Sequence, residues 1–279
     1  MVSVLLMGGM GNQMFQYALG RSLADEAGVP LHLDTSFLKR RDMPKGFVYR
    51  NYDLDLFKVR GNVDHEKKWE KPYTFSERYF HFDPSGLTEA LNALKTGRNV
   101  FLEGYWQSPK YFQKNEQKIR EDFSFEQPIE FAPERIQSMA EKIDSQPSVM
   151  VNVRRTDYLN TDFHGVMGQA YIQSAVRKLE EIEPNANYFV FSDDVEWCAA
   201  HIKLPNMTLV DHSYKGDRFS YYLQLMKRCR HFIIPNSTFA WWAAWLNTNT
   251  DQLVYAPKQW FTDSSIRSED LIPTHWIRI

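Results

Sequence analysis

Val2 to Met7 form an apolar run, with Ser3 its one polar position, that stops at Gly8-Gly9-Met10-Gly11, the pattern of a strand buried on both faces. From Met14 the period changes. Phe15, Ala18, Leu19, Leu23 and Ala27 recur at helical spacing and predict an amphipathic helix. Gly28 then supplies the residue past the helix end, and Pro30 blocks continuation. Leu31 to Leu33 resume an apolar run, so the chain opens β–loop–α–β, the start of a parallel sheet. Residues from about 35 to 98 mix aromatics, charges and turn formers, and no element is assigned there. Asn99 to Leu102 predict another short strand, followed by Gly104-Tyr105-Trp106-Gln107-Ser108.

The second half is more regular. Val149–Val153, Tyr188–Phe191, Met207–Val210 and Phe232–Ile234 read as buried strands. Ile172, Ala175, Val176, Leu179 and Ile182 form a helix stripe, as do Phe219, Tyr222, Leu223 and Met226. Thr238 to Leu246 form a very apolar helix whose Trp241-Trp242-Ala243-Ala244-Trp245 run reads as core rather than sugar platform. Strands alternating with helices predict doubly wound parallel sheets. The expected class is therefore α/β, with two Rossmann-type parallel-sheet domains facing a cleft. The prolines and acids between Phe123 and Pro133, with Pro147 after a helical stretch, mark the crossing. The expected division is 1–130 and 148–265, with 131–147 and 266–279 as crossing and terminal segments.

Composition narrows the function. A net charge of −2 gives no footprint for nucleic acid. Cys198 and Cys229 are the only cysteines, too few for a disulfide framework and suited to a reducing compartment. The N-terminal apolar run has no basic flank and is too short for a secretion signal or a membrane span. The expected location is the cytoplasm, with peripheral attachment to the inner membrane left open. Eight Trp fit either core or sugar stacking.

In open parallel sheets ligands bind beyond the carboxyl ends of the strands. In the second half those positions hold Arg154-Arg155-Thr156-Asp157, Ser192-Asp193-Asp194, Asp211-His212 and Asn236-Ser237-Thr238. Arg154 and Arg155 carry forked donors suited to phosphate oxygens, or else pair with local acids. Asn236-Ser237-Thr238 can cap a helix and can equally leave its N–H groups to bind an anion. Asp193-Asp194 is either a nucleoside-binding acid or the cap of the helix beginning near Val195. The loop from Gly8 competes with a dinucleotide fingerprint: Gly9, Gly11 and Asp34 fit, but Met14 stands where the third glycine belongs. Asp53-Leu54-Asp55 matches a metal-binding Asp-x-Asp but follows no convincing strand, and reads as structural. No cysteine–histidine cluster has zinc spacing.

Five segments together resemble the α1,2-fucosyltransferases of glycosyltransferase family 11, mostly bacterial. They are GGMGNQMFQYALGRSLA from Gly8, GYWQSPKYF from Gly104, VNVRRTDYL from Val151, FSDDVEWC from Phe191 and IIPNSTFAWWAAWL from Ile233. The resemblance implies a GT-B-like fold, GDP-β-L-fucose as donor, inversion to an α-linkage, transfer to the 2-hydroxyl of a terminal β-galactoside, and no metal or other cofactor. It makes 148–265 the donor domain and 1–130 the acceptor side. The distantly related α1,6- and protein O-fucosyltransferases share an Arg-bearing motif like that at Arg154 and part of the glycine loop, and that likeness implies that Arg154 binds the β-phosphate and Asn12 reaches the pyrophosphate. One position departs: the family has His two residues before the first Arg, and here Asn152 stands there, a residue that cannot titrate near neutral pH.

The expected donor site is thus Asn12, Asn152, Arg154, Arg155, Asp193, Asn236, Ser237, Thr238 and Phe239. Arg154 and Asp157 are the expected catalytic residues. Asp157 is either the general base or a counter-charge to the arginines, and Asp162 and His164 are the alternates. Gln13, Tyr105, Trp106, Gln107 and His164 are candidate acceptor contacts. The partners implied are GDP-fucose and a galactose-terminated glycan, with lipid-linked precursors among the candidates. An oxidoreductase and a non-catalytic glycan-binding protein are the rival classes.

Overall fold

The computed structural model describes the whole chain except residues 43–47, 65–71, 78–79, 157–158, 160–164 and 166. Asp157, Asp162 and His164 therefore lie outside the described residues. Two compact units divide the chain: Met1–Glu126 with Ile266–Leu271, and Gln127–Ser265 with Ile272–Ile279.

The first unit is built on a five-stranded sheet of β1 (Val2–Leu5), β2 (Leu31–Asp34), β3 (Asn62–Asp64), β4 (Tyr73–Ser76) and β5 (Val100–Glu103). All pairs are parallel, in the order β3-β2-β1-β5-β4. Its helices are α1 (Met10–Ala27), α2 (Ser36–Lys39), α3 (Pro84–Lys95) and α4 (Glu116–Asp122). The first helix starts at Met10, four residues before the apolar periodicity, and is buried on nearly every side. Gly28, left-handed at φ 64°, closes it. Close helix–strand packing occurs at Gly20, where a β-carbon would stand 2.2 Å from Val4 Cγ2. Met14 is simply core, so the glycine that a dinucleotide fingerprint needs for packing is displaced two turns along the helix. The unassigned stretch contains β3, β4 and α3. Both strands are edges, and in β4 only Phe75 is buried, so neither leaves an apolar run to read.

The second unit holds six parallel strands: β6 (Ser148–Val153), β7 (Asn187–Ser192), β8 (Met207–Val210), β9 (His231–Ile233), β10 (Val254–Ala256) and β11 (Ile277–Arg278). Around them lie α5 (Glu134–Asp144), α6 (Gln169–Glu180), α7 (Val195–His201), α8 (Ser220–Met226) and α9 (Thr238–Trp245). The order β11-β10-β9-β6-β7-β8 runs outward both ways from β6, the doubly wound Rossmann arrangement. Val149, Val151, Val153, Ile172, Val176 and Leu179 belong to one apolar cluster between the sheet and α6. Trp241 and Trp242 are fully buried and meet edge-to-face at 4.9 Å, which makes the tryptophan run of α9 core.

Residues 131–147 are not a bare crossing. They contain α5, which buries Ile136, Met139, Ala140 and Ile143 within the second unit. The terminal segment 266–279 is split: Ile266–Leu271 joins the first unit, and the remainder supplies β11 to the second. Among the described residues, no helix is long and apolar enough to cross a membrane.

Candidate active site

In the second unit the winding direction reverses between β6 and β9, so the crevice for a ligand opens there. The β6 end leads into Arg154-Arg155-Thr156, and Asp193 at the β7 end folds that loop. Asp193 Oδ1 accepts from Arg155 N at 2.9 Å. Its Oδ2 accepts from Thr156 N at 3.2 Å and Thr156 Oγ1 at 2.6 Å, and pairs with Arg154 Nη1 at 3.2 Å. Asp194 caps α7 by accepting from Trp197 N at 3.1 Å. Both acids are therefore structural in this unit: one shapes the arginine loop, the other starts a helix.

The two arginines are not equivalent. Arg155 pairs with Asp194 at 3.3 Å and lies 3.8 Å over the Trp197 ring, a stacked and ion-paired brace. It was expected to donate to phosphate, but its planar group is committed to joining the β6 loop to α7. Arg154 is 28% exposed and keeps its head at the sheet edge. Asn152 donates Nδ2 to Phe191 O at 3.1 Å, tying β6 to β7 one residue before the loops diverge. Beyond β8, His212 Nε2 lies 3.0 Å from Ser192 O. A carbonyl only accepts, so Nε2 carries the hydrogen. Two successive non-glycine residues in this β8 loop, Arg218 and Phe219, are left-handed, at φ 45° and 64°. Such strain gathers at ligand edges.

At the β9 end, Ser237 occupies the N-cap of α9 without a side-chain capping bond, so it leaves the first helical N–H groups, those of Thr238 and Phe239, uncapped by its hydroxyl. Asn236 is expected in the donor site, yet it is 1% exposed and turns inward. Its Nδ2 donates to Trp260 O at 3.0 Å and Gly165 O at 3.4 Å, clamping neighbouring loops behind the helix end.

The first unit has its own reversal point, between β1 and β5. The β1 loop begins with Gly8, left-handed at φ 73°, where a β-carbon would stand 2.5 Å from Asn12 Nδ2. Across the reversal, Gln107 from the β5 loop donates Nε2 to Asn12 Oδ1 at 3.0 Å. Gln16, fully buried, joins the same two loops from behind: it accepts from Met7 N at 2.9 Å and donates to Gly104 O at 3.0 Å. Gln13 and Trp106 are expected as acceptor contacts, and both are 0% exposed. The Gln13 amide is spent on Gly8 O, Asn51 O and Asp53 N, and the Trp106 ring packs against Phe75 at 4.6 Å. Buried side chains cannot meet a sugar, so both act as scaffolding. Tyr105 is half-buried and stacks on Phe80 at 6.2 Å.

Sequence reading missed three contributors here: Gln16, Arg50 and Glu77. Arg50 Nε comes to 3.9 Å from the place a Gly9 β-carbon would take, so a cation stands beside the glycine loop. Glu77 follows β4, a strand with no legible signature, so inspecting strand ends could not find it. Its carboxylate accepts from Tyr105 N at 2.7 Å and Trp106 N at 3.1 Å. Burial pushes its pKa up to about 7, partly offset by those two N–H groups. Asp53-Leu54-Asp55 opens a single 3₁₀ turn between β2 and β3, with Leu54 buried and Asp53 N bonded to Gln13.

Comparison with known proteins identifies the family. The family model of Glycosyl transferase family 11 matches residues 51–279. The chain is 31% identical to an alpha-1,2-colitosyltransferase of Escherichia coli, over 98% of this chain and 97% of that protein. It is 25% identical to the galactoside alpha-(1,2)-fucosyltransferase 1 of Bos taurus, over 86% of this chain and 64% of that one. The crystal structure of the fucosyltransferase NodZ from Bradyrhizobium superposes with a TM-score of 0.53 at 17% identity, covering 87% of this chain and 91% of that one, a likeness of fold. The fold is GT-B-like, with two parallel-sheet α/β units. The chain belongs to glycosyl transferase family 11.

Proposed function

We propose that the protein transfers L-fucose from GDP-β-L-fucose to the 2-hydroxyl of a terminal β-galactoside, with inversion and without a metal ion. The observation that carries this reading is at the second unit's reversal point. There Arg154, at the end of β6, and the N-terminus of α9, at the end of β9, occupy adjacent strand ends.

Transfer breaks the bond from sugar C1 to the β-phosphate oxygen and forms one from C1 to the acceptor oxygen on the opposite face. The bonding electron pair leaves with GDP, whose terminal phosphate gains charge. Arg154 and the N–H groups of Thr238 and Phe239 supply fixed donors for that charge, the work a metal ion performs elsewhere. Asp193 holds the loop that carries Arg154, and Arg155 braces it. The acceptor proton goes to a general base, for which Asp157 is the assignment and Asp162 and His164 the alternates. Asn152 cannot perform that step, because an amide does not titrate near neutral pH. The first unit takes the acceptor near Tyr105, and Asn12 meets the donor.

The 31% identity to a colitosyltransferase favours a second reading of the donor sugar. A colitosyl group is a fucosyl group without its 3-hydroxyl. A site that hydrogen-bonds that hydroxyl rejects the deoxy sugar by about 10⁴ or more, whereas a site that merely accommodates it discriminates by about 10–200-fold. The test is GDP release from each GDP-linked sugar in EDTA, with and without lactose. Release from GDP-fucose that lactose stimulates is the expected result; no reaction with GDP-fucose but turnover of the colitosyl donor would replace the donor assignment.

A further inference from the structure

Unfavourable features concentrate in five residues at the reversal point of the first unit. Trp106 is left-handed at φ 56°, and Ser108 N folds back onto Trp106 O at 2.7 Å. The Trp106 indole N–H and Gln107 Oε1 are both buried with no hydrogen-bond partner among the described residues. Gly104 takes a side chain only if its neighbours shift, because a β-carbon there would come 2.4 Å from Glu77 Cβ and 2.9 Å from the Trp106 ring. Left to itself such a loop would relax, since each of these features costs free energy. Gln16 holds Gly104 O, Ser108 Oγ donates to Asp270 O, and at the strained turn itself Glu77 opposes relaxation, its two oxygens gripping the successive N–H groups of Tyr105 and Trp106.

The loop so held ends in Gln107, and Gln107 determines how Asn12 points. Asn12 Oδ1 is occupied by the Gln107 amide, so the Asn12 NH₂ is the group that lies over Gly8, with no partner among the described residues. An amide fixed in that sense offers donors to an oxygen-rich ligand; the opposite sense would offer a lone pair and repel it.

We propose that Glu77 is a positioning residue for transfer: by clamping the strained Tyr105–Trp106 turn it seats Gln107, and through Gln107 it fixes the sense of the Asn12 amide, NH₂ over Gly8. This deepens the proposed function, resting on its assignment of Asn12 to the donor. The device depends on protonation. Ionised, Glu77 accepts both N–H groups; protonated, it gives up one acceptor position and releases part of the turn. Facing Glu77 are the phenols of Tyr105 and Tyr111, both kept neutral because burial raises their pKa values. Beyond Tyr111 lie the His81 carbonyl, Asp83 and Asp270, and Glu103 flanks on β5. Among the described residues, no cation pairs with Glu77.

The decisive experiment observes the protein alone. The side-chain NH₂ signals of Asn12 and Gln107, assigned by NMR, should shift with a midpoint near pH 7 in the wild type, together with the Tyr105 and Trp106 backbone amides. In Glu77→Gln they should not titrate. Asn12 and Gln107 signals that stay still while Tyr105 and Trp106 move would overturn the proposal. The wild-type titration needs no variant, so a Glu77→Gln protein that failed to fold would not blunt the test. In the transfer assay the wild-type-to-variant ratio of kcat/KM should rise with pH through 7, reaching about tenfold, the worth of one hydrogen bond to a charged group. A ratio flat across that range would also count against the clamp. A wild type inactive with every GDP-linked deoxyhexose would instead sink the proposed function, and the NMR titration would still decide the role of Glu77.

Discussion

At the reversal point of the second unit, the side chains that close the loops are charged: Arg154 and Arg155 against Asp193 and Asp194. At that of the first unit they are neutral amides, Asn12, Gln13, Gln16 and Gln107, with Glu77 behind them. The same topology, a parallel sheet reversing direction, therefore ends in two different chemistries. A loop closed by ion pairs keeps permanent charge at the edge and suits a leaving group that becomes more anionic. A loop closed by amides presents oriented donors and acceptors instead, with the Arg50 cation beside the glycines. The two differ also in how order is maintained. The charged edge is held by strong, local pairs on adjacent strand ends. The amide edge is held through the backbone, by one carboxylate acting on a strained turn.

The contrast predicts a large effect at the charged edge. Arg154→Ala should lower kcat/KM by about 10²–10³, the usual effect of removing one transition-state donor. Near-normal steady-state kinetics in that variant would dissociate the arginine from the leaving group. Next in size, Gly104→Ala should destabilise the first unit by about 1–3 kcal/mol, because the added methyl must displace Glu77 and Trp106 together. Denaturant melts would measure this, and an unchanged midpoint would show that the turn is looser than described.

Asn236→Ala removes two bonds to buried carbonyls and should cost about 1–3 kcal/mol, read from the thermal midpoint. A loss of donor affinity without a loss of stability would restore Asn236 to the binding site. A comparable, pH-dependent effect belongs to Glu77. Its folded pKa, about 7, lies above the unfolded value of 4.5. The native state therefore holds the proton more tightly, and the contribution of Glu77 to stability should be fully present below pH 4.5 and be lost as pH rises through 7, by on the order of 1–3 kcal/mol. Comparing Glu77→Gln with wild type in urea melts at several pH values isolates that slope. The smallest effect is expected at Arg155→Ala, about 1 kcal/mol of stability from the lost stacking and ion pair. A rate loss as large as that of Arg154→Ala would mean that Arg155 also meets phosphate.

Much of this was legible in the chain, and unevenly so. The central strands β1, β6, β7 and β9 are buried on both faces and announce themselves as continuous apolar runs; the polar residues that follow them could then be found by position alone. The edge strands β3 and β4 and the late strands β10 and β11 could not: β3, β4 and β11 carry no continuous apolar run, and β10, though buried, is only three residues long. Losing β4 meant losing Glu77.

What the sequence determined by itself was the α/β alternation, the glycine loop, the tryptophan core of α9 and the set of polar groups at the central strand ends, all of which follow from local period and turn chemistry. What only the tertiary structure decided was the use of each polar group. Arg154 and Arg155 are neighbours of one type, yet one stays at the edge and the other is stacked on Trp197. Gln13 and Asn236 look like ligand contacts and are internal clamps. A side chain's partner is set by what lies opposite it across strands that are distant in sequence, and no local pattern encodes that pairing.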